Sequence, residues 1–275
     1  METHNIKSYY IEVETGVRLH VTEAGQGQPV ILIHGWPLSN EVFKYQYEAL
    51  SKQNFRAIGV SLRGFGKSDK LSSVYSYAMH ANDLHNLIKI LDINDAVLLG
   101  FSFGSSVAAH YVANYKPSRI TKLALLAVNV PLATKLADHP FGFEIDDLNY
   151  IINELPENRK TLTNIYGPLS KLTEDILPYE DGEWLNKMMS EASDEAVIKS
   201  IIALKDLDLR PELPQIQIPT AIFHAKDDLT IPVEIALEAQ EQISGSKLYL
   251  YNTGGHYLLL TEKEQFNRDL IEFIS

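Results

Sequence analysis

The sequence predicts an α/β protein, with a mostly parallel sheet that is covered by helices on both faces. Strand-like runs alternate with helical segments from residue 29 to residue 128, as in consecutive βαβ units. These runs are continuously apolar, for example P-V-I-L-I at 29–33 and K-L-A-L-L-A-V at 122–128, which is typical of strands buried on both faces. The length of 275 residues suits one such domain with an insertion.

The sheet is expected to open with an antiparallel hairpin. The segments 9–13 and 17–21 are rich in β-branched and aromatic residues, and the turn signal E-T-G at 14–16 separates them. The predicted elements that follow are, in order, a strand at 29–33, a helix at 43–50, a strand at 56–60, a helix at 77–91, a strand at 96–99, a helix at 105–114 and a strand at 122–128.

The pattern changes between residues 131 and 209, where helical segments dominate and no strand-like run occurs. The helices predicted there lie at 145–155, 157–166, 183–189 and 194–206. The sheet then resumes, with strands at 219–224 and 247–251 and helices at 233–243 and 266–274. We therefore expect an eight-stranded core domain formed by residues 1–130 and 210–275, with 131–209 as a helical cap, or lid, insertion. Its expected place is over the strand ends, where open α/β sheets bind ligands, and its aromatic residues are expected mostly to hold the cap helices together.

Composition narrows the class of protein. The net charge of -12 and the pI near 5.2 disfavour binding to phosphate backbones and anionic membrane surfaces. The chain has no cysteine, which excludes disulfides, thiolate nucleophiles and Cys-ligated metals, and no histidine pair has H-E-x-x-H spacing. The first residues are polar, and no apolar run could span a bilayer. We expect a cytoplasmic protein with no metal, no nucleic-acid partner and no membrane insertion, and the oligomeric state stays open.

The stretch around residue 102 carries the clearest chemical signal. The apolar strand at 96–99 runs into G-F-S-F-G at 100–104, and a helix follows. In a G-x-S-x-G pattern of this kind the serine sits on a sharp strand-to-helix turn, where its Oγ is exposed and the helix N-terminus favours a developing anion. The two glycines let the strand and the helix pack closely. Ser102 is therefore the predicted nucleophile.

Two further groups follow later strands of the same predicted sheet. Asp227 and Asp228 come after the strand at 219–224, and His256 comes after the strand at 247–251. A serine nucleophile needs an adjacent base such as histidine, and a buried carboxylate on the other ring nitrogen fixes the histidine tautomer. Adjacent side chains leave the backbone in different directions, so one of the two aspartates is expected to meet His256. The alternative for either carboxylate is the cap of the following helix.

Over nearly its whole length the chain resembles the α/β-hydrolase superfamily. It is most similar to the serine esterases grouped with cofactor-free haloperoxidases and perhydrolases. The match rests on H-G-W-P-L-S at 34–39, L-R-G-F-G-K-S-D at 62–69, G-F-S-F-G at 100–104, H-A-K-D-D-L-T-I-P at 224–232 and G-G-H at 254–256. The chain order serine, aspartate, histidine is that of this superfamily.

The resemblance implies a role for each matched residue. It implies Ser102 as nucleophile, Asp228 as acid and His256 as base, and the family pattern thereby selects Asp228 over its neighbour. It also implies an oxyanion hole formed by the backbone N–H groups of Trp36 and Phe103.

The resemblance also bears on four further positions. His34 is expected to brace its loop by hydrogen bonds. Asn129 occupies a position where some relatives place an alternative acid, and an amide cannot do that work. The chain departs from the family at Ser61, which is usually Asp and orders the loop, and at Ser105, which is usually Gly. We expect these departures to affect loop rigidity and helix packing more than activity.

The expected activity is hydrolysis of small carboxylic esters through an acyl-enzyme, with no cofactor. The resemblance also implies perhydrolysis as a side activity, in which hydrogen peroxide replaces water, because relatives with proline in H-G-W-P-L-S often show it. Serine at position 102 disfavours the dehalogenases and epoxide hydrolases of this fold that use an aspartate nucleophile. Three alternatives stay open: a C–C bond hydrolase, an acyltransferase, and a small-molecule receptor or regulator with a vestigial triad.

Overall fold

The computed structural model describes residues 6–70, 74–156 and 177–275. The strands are Lys7–Glu14 (β1), Val17–Ala24 (β2), Gln28–Ile33 (β3), Phe55–Val60 (β4), Ala96–Phe101 (β5), Ile120–Leu126 (β6), Thr220–Ala225 (β7) and Lys247–Tyr251 (β8). The helices are Lys44–Ser51 (α1), Tyr77–Ile90 (α2), Phe103–Tyr115 (α3), Ile145–Glu154 (α4), Tyr179–Ser190 (α5), Asp194–Lys205 (α6), Val233–Gln242 (α7), Leu258–Thr261 (α8) and Lys263–Ile274 (α9). Short 3₁₀ turns lie at Asn40–Phe43 and Leu213–Gln215.

All eight strands form one sheet in the order β1-β2-β4-β3-β5-β6-β7-β8. β1 and β2 are antiparallel, as are β2 and β4, and every other neighbouring pair is parallel. Helices α2 and α3 pack together, and α1 packs with α9. The predicted fold, a mostly parallel eight-stranded sheet with an opening hairpin and helices on both faces, is confirmed.

The order in which the chain adds strands to the sheet reverses at β3, which is paired with β4 on one side and β5 on the other. The chain moves outward from β3 to β4 and then crosses back to β5. The loops that follow β3 and β5 therefore start side by side, and Ile33 is paired with Gly100 where the two strands end. Such a switch point opens a crevice at the carboxyl ends of the strands, which is the usual ligand site of these sheets.

The central strands are mostly buried. Every residue of β5 and β7 is buried, and the residues Val30 to Ile33 of β3 are inaccessible to solvent. This burial explains why the sequence shows continuous apolar runs there instead of an alternating pattern. The strands form a buried base that carries the residues at their ends.

The chain between β6 and β7 contains α4, α5 and α6, of which α4 and α6 contact each other. The helices predicted at 145–155, 183–189 and 194–206 correspond to these three, and the helix predicted at 157–166 lies outside the described residues. Two isolated bridges, Thr134 with Phe143 and Leu136 with His139, were not expected from the sequence. Over the ranges that the structure covers, none of the helices has the length and apolar character needed to cross a membrane.

Candidate active site

Ser102 is the single residue between β5 and α3, and its backbone has φ +52° and ψ -119°. A positive φ is costly for a residue with a side chain and persists only where the surroundings enforce it. Here the Ser102 N–H donates to Leu126 O at 2.8 Å, and the Ser105 N–H donates to Ser102 O at 2.7 Å. The turn is therefore fixed by the next strand on one side and by the new helix on the other.

The two glycines of the motif allow this turn to lie against the sheet. A Cβ on Gly100 would lie 2.2 Å from Gly104 O, and a Cβ on Gly104 would lie 2.3 Å from Ile33 O. Both obstacles are backbone atoms, so neither position can carry a side chain unless the strand and helix move apart. The predicted steric reason for these glycines is confirmed.

The structure brings Ser102, His256 and Asp228 together in one hydrogen-bonded chain. His256 Nε2 lies 2.9 Å from Ser102 Oγ, and His256 Nδ1 lies 2.8 Å from Asp228 Oδ2. Asp228 is 4% exposed and His256 is 9% exposed. This geometry lets the imidazole accept the Ser102 proton on one nitrogen while it donates to the carboxylate with the other.

The Asp228 carboxylate is stabilised in its charged form. Burial alone would raise its pKa, but the charge and hydrogen bond of His256, the nearby His224 and the Ile231 N–H together hold the pKa below its ordinary value. The second oxygen, Oδ1, accepts from the N–H groups of Thr230 at 2.9 Å and Ile231 at 2.8 Å. One carboxylate oxygen is thus fixed by the backbone, and the other is directed at His256.

The neighbouring carboxylate of Asp227 has a different set of contacts. Its oxygens accept from the backbone N–H groups of Gly255 at 2.9 Å and Gly254 at 3.3 Å. It therefore holds the loop that leads into His256 and leaves the imidazole to Asp228. The sequence left both aspartates open on geometric grounds, and the contacts distinguish them.

Trp36 and Phe103, the two residues expected to supply backbone donors, line the same cavity as Ser102. Phe103 is the first residue of α3, where backbone N–H groups have no partner within the helix. The loop that carries Trp36 touches the turn, since a Cβ on Gly35 would lie 3.0 Å from Ser102 Cβ. The Trp36 indole Nε1 donates to Val197 O in α6 at 3.1 Å, which ties this loop to the helical segment.

His34 braces its loop, as expected. Its Nδ1 donates to Gly35 O at 2.9 Å, while its Nε2 accepts from the Leu62 N–H at 2.9 Å. Complete burial lowers the pKa of His34 to about 4, so the ring stays neutral near pH 7 and can both donate and accept. Ser61, which replaces the usual aspartate, accepts from the Asn40 N–H at 3.2 Å and so still contributes to loop order.

Ser105, the second departure from the family pattern, takes part in a buried polar group behind Ser102. Its Oγ lies 2.6 Å from Ser102 O and 3.0 Å from Asn129 Oδ1, and Ser106 Oγ donates to the same Asn129 oxygen at 2.6 Å. The Ser105 hydroxyl therefore links the turn at Ser102 to Asn129, in the segment that follows β6.

The cavity that contains Ser102 is lined in part by the segment between β6 and β7. Its lining also includes His256, Trp36, Phe103 and the residues Phe143, Leu148, Ile151, Ser200, Ile201 and Leu204 of that segment. Among the described residues of this segment, Phe143 is the aromatic one at the cavity, and the apolar lining from α4 and α6 is aliphatic. The sequence suggested aromatic residues of this segment, Phe143 among them, as an alternative pocket roof, and it did not identify the aliphatic positions. In the part of the chain that the structure covers, no group of three or more His, Asp or Glu side chains could hold a metal ion.

The chain is similar to known proteins over most of its length. Residues 28–263 match the model of the alpha/beta hydrolase fold family. The chain is 37% identical over 266 residues to the AB hydrolase superfamily protein YisY of Bacillus subtilis, covering 96% of this chain and 98% of that protein. It is 29% identical over 277 residues to the bifunctional esterase/perhydrolase DCH of Acinetobacter calcoaceticus, covering 96% and 99%.

Solved structures are similar over the same length. An esterase from Exiguobacterium antarcticum superposes with a TM-score of 0.92 at 33% identity, covering 98% of this chain and 99% of that one. A bromoperoxidase from Bacillus anthracis gives a TM-score of 0.90 at 29% identity, with the same coverage. The chain therefore belongs to the α/β-hydrolase fold family, as a hydrolase whose relatives include esterases and non-heme haloperoxidases.

Proposed function

We propose that the protein hydrolyses carboxylic esters of small molecules through an acyl-enzyme formed on Ser102. The observation that carries this proposal is the hydrogen-bonded chain from Ser102 through His256 to Asp228. Ser102 and His256 also line a cavity to which several helices and loops contribute residues. Relatives that are named as esterases support the same class of reaction.

In the first half of the reaction His256 Nε2 takes the proton from Ser102 Oγ as that oxygen attacks the acyl carbon. The imidazolium that forms is stabilised by the ionised Asp228 carboxylate, which already lies 2.8 Å from Nδ1. His256 then gives its proton to the departing alcohol oxygen as the C–O bond breaks. The products of this half are the free alcohol and an ester of Ser102.

In the second half, water attacks the acyl-enzyme by the same route. His256 removes a proton from the water, a second tetrahedral intermediate forms, and the proton returns to Ser102 Oγ as the carboxylic acid leaves. In both halves negative charge develops on the former carbonyl oxygen. We assign the backbone N–H groups of Trp36 and Phe103 to this oxygen, because Phe103 follows Ser102 at the start of α3 and Trp36 lines the same cavity. A preorganised donor at such an oxygen can contribute about 10²–10³ in rate.

The cap role of residues 131–209 over a core of 1–130 and 210–275 is part of the same proposal. Leu148 and Ile151 of α4, with Ile201 and Leu204 of α6, line the cavity that contains Ser102. Apolar walls of this kind exclude water around the reacting atoms and strengthen the electrostatic interactions there. The cap would therefore set which esters enter.

Perhydrolysis is proposed as a side activity. Its support is the likeness to a protein named as a bifunctional esterase/perhydrolase and to others named as non-heme chloroperoxidases. Hydrogen peroxide would replace water in the second half of the reaction, its oxygen would bond to the acyl carbon, and a peracid would leave Ser102. The reaction needs no group beyond those used for hydrolysis.

Hydrolysis of p-nitrophenyl acetate tests the proposal against a receptor that keeps a reactive serine. We expect each molecule of protein to release many molecules of p-nitrophenol, because the array regenerates Ser102 after each acyl transfer. Release of one equivalent or none, with esters of several acyl lengths, would contradict the esterase proposal. It would favour a ligand-sensing protein or a carbon–carbon substrate.

A further inference from the structure

Ser200 lies in the middle of α6 and is one of the residues that line the cavity that contains Ser102. It is completely buried, and within the part of the chain that the structure describes its Oγ has no hydrogen-bond partner. Serines in other helices do not behave this way. Ser190 in α5 donates to Lys187 O at 2.6 Å, and Ser51 in α1 donates to Glu48 O at 3.0 Å.

A buried hydroxyl without a partner destabilises the folded protein, since it loses its hydrogen bonds to water and gains none in return. Its neighbours show that the surroundings do not require a polar side chain. Ile201 and Leu204 of the same helix, and Leu148 and Ile151 of α4, line this cavity and are apolar. A buried polar group that has no partner and belongs to a residue lining a binding cavity is a candidate for binding a ligand.

A second polar residue on the cavity wall indicates what kind of atom would bind. Asn129 lines the cavity, and its Oδ1 already accepts from Ser106 Oγ at 2.6 Å and lies 3.0 Å from Ser105 Oγ. The groups that Asn129 has left for a ligand are the N–H donors of its amide. A hydroxyl and an amide N–H can both donate to an oxygen atom.

We propose that Ser200 is a specificity-determining residue whose hydroxyl binds a second oxygen of the substrate, apart from the ester group. This inference rests on the proposed function and narrows its substrate class to esters that carry a hydroxyl or carbonyl oxygen on the acyl or alcohol part. A site built to hydrogen-bond such a group discriminates strongly against an analogue that lacks it.

The test uses pairs of esters that differ by one hydroxyl in place of one methyl group. One pair carries the change on the acyl chain of an ethyl ester, and the other carries it on the alcohol of a butanoate ester. Wild-type protein should show a kcat/KM at least about tenfold higher for the hydroxyl-bearing member of one pair. Ser200→Ala should abolish this preference by lowering kcat/KM for that member alone, while the matched control Ser190→Ala leaves it unchanged.

Two results would overturn the proposal. One is an equal effect of Ser200→Ala on both members of each pair, and the other is a wild-type protein that shows no preference. Thermal unfolding is the second readout. Because the variant removes an unpaired buried hydroxyl, its Tm should equal or exceed that of the wild type, and a clear fall in Tm would point to a structural role instead.

The proposal can fail separately from the esterase activity. If no ester is turned over, binding of the same pairs to Ser102→Ala is measured by calorimetry. The hydroxyl-bearing member should bind about tenfold more tightly, and the preference should be lost in the Ser102→Ala, Ser200→Ala double variant. Equal binding of both members would overturn the role of Ser200 whatever the reaction of the site.

Discussion

Replacing Ser102 with alanine is expected to lower kcat for p-nitrophenyl acetate by a factor on the order of 10⁵ or more. Without Oγ no acyl-enzyme can form, and the remaining rate would come from water held beside His256 and from the oxyanion donors. The fold should be retained, since alanine meets the same positive φ as serine and the Ser102 N–H and O bonds to Leu126 and Ser105 come from the backbone.

Steady-state assays of purified wild type and Ser102→Ala, with thermal unfolding as a control for folding, give the comparison. Ser190→Ala serves as the matched serine control, because its hydroxyl bonds to Lys187 O in α5. A Ser102→Ala protein that keeps more than about one hundredth of the wild-type rate would show that another group is the nucleophile.

Replacing Asp228 with asparagine is expected to lower kcat by about 10⁴. The Asp228 Oδ1 atom accepts from two backbone N–H groups, so the oxygen of an asparagine would stay on that side and its NH₂ would face His256. The imidazole would then carry its proton on Nε2, which could no longer accept the proton of Ser102. The variant should keep its fold and lose its base.

Asp227→Asn is the matched control for this prediction. Its side-chain oxygen can still accept from the Gly255 N–H, and the bond to Gly254, at 3.3 Å, is the weaker of the two. We expect less than about a tenfold loss of kcat/KM, measured with the same ester. If the effects of the two substitutions were reversed, the acid would be Asp227 and the assignment to Asp228 would be wrong.

The sequence predicted the elements whose patterns are set by nearby residues. The apolar runs of β3, β5 and β6 predicted buried strands because a strand covered on both faces has no polar side. The motif at 100–104 predicted the turn at Ser102, and the contacts of Gly100 and Gly104 give the reason that the motif needs glycine. Patterns formed by residues close together in the sequence therefore predicted most of the fold and the candidate nucleophile.

Features that depend on distant contacts were harder to predict. The helix predicted at 266–274 begins earlier, at Lys263, and α8 precedes it. Its first residues are polar, so the apolar spacing of Phe266 and Leu270 indicated only the buried part of the helix. Sequence distance alone could not decide between Asp227 and Asp228, since the choice depends on which backbone direction meets His256. The family pattern supplied that assignment, and the hydrogen bonds give its geometric reason.

Ser200 was missed for a related reason. On a helix with apolar neighbours, one serine has no distinguishing spacing, and its importance appears only when its burial and lack of a partner are known. The aliphatic lining from α4 and α6 was missed because an apolar helix face indicates burial without indicating what it covers. The spacing of Leu148 and Ile151 was the available signal, and it identified a buried face rather than a pocket.

The most direct test of the account is the mass of the protein after rapid acid quenching during turnover of p-nitrophenyl acetate. The account predicts a fraction of molecules heavier by one acetyl group, with the modification on the peptide that contains Ser102 and none in Ser102→Ala. An acetyl group on another residue, or sustained ester turnover by the Ser102→Ala protein, would contradict it.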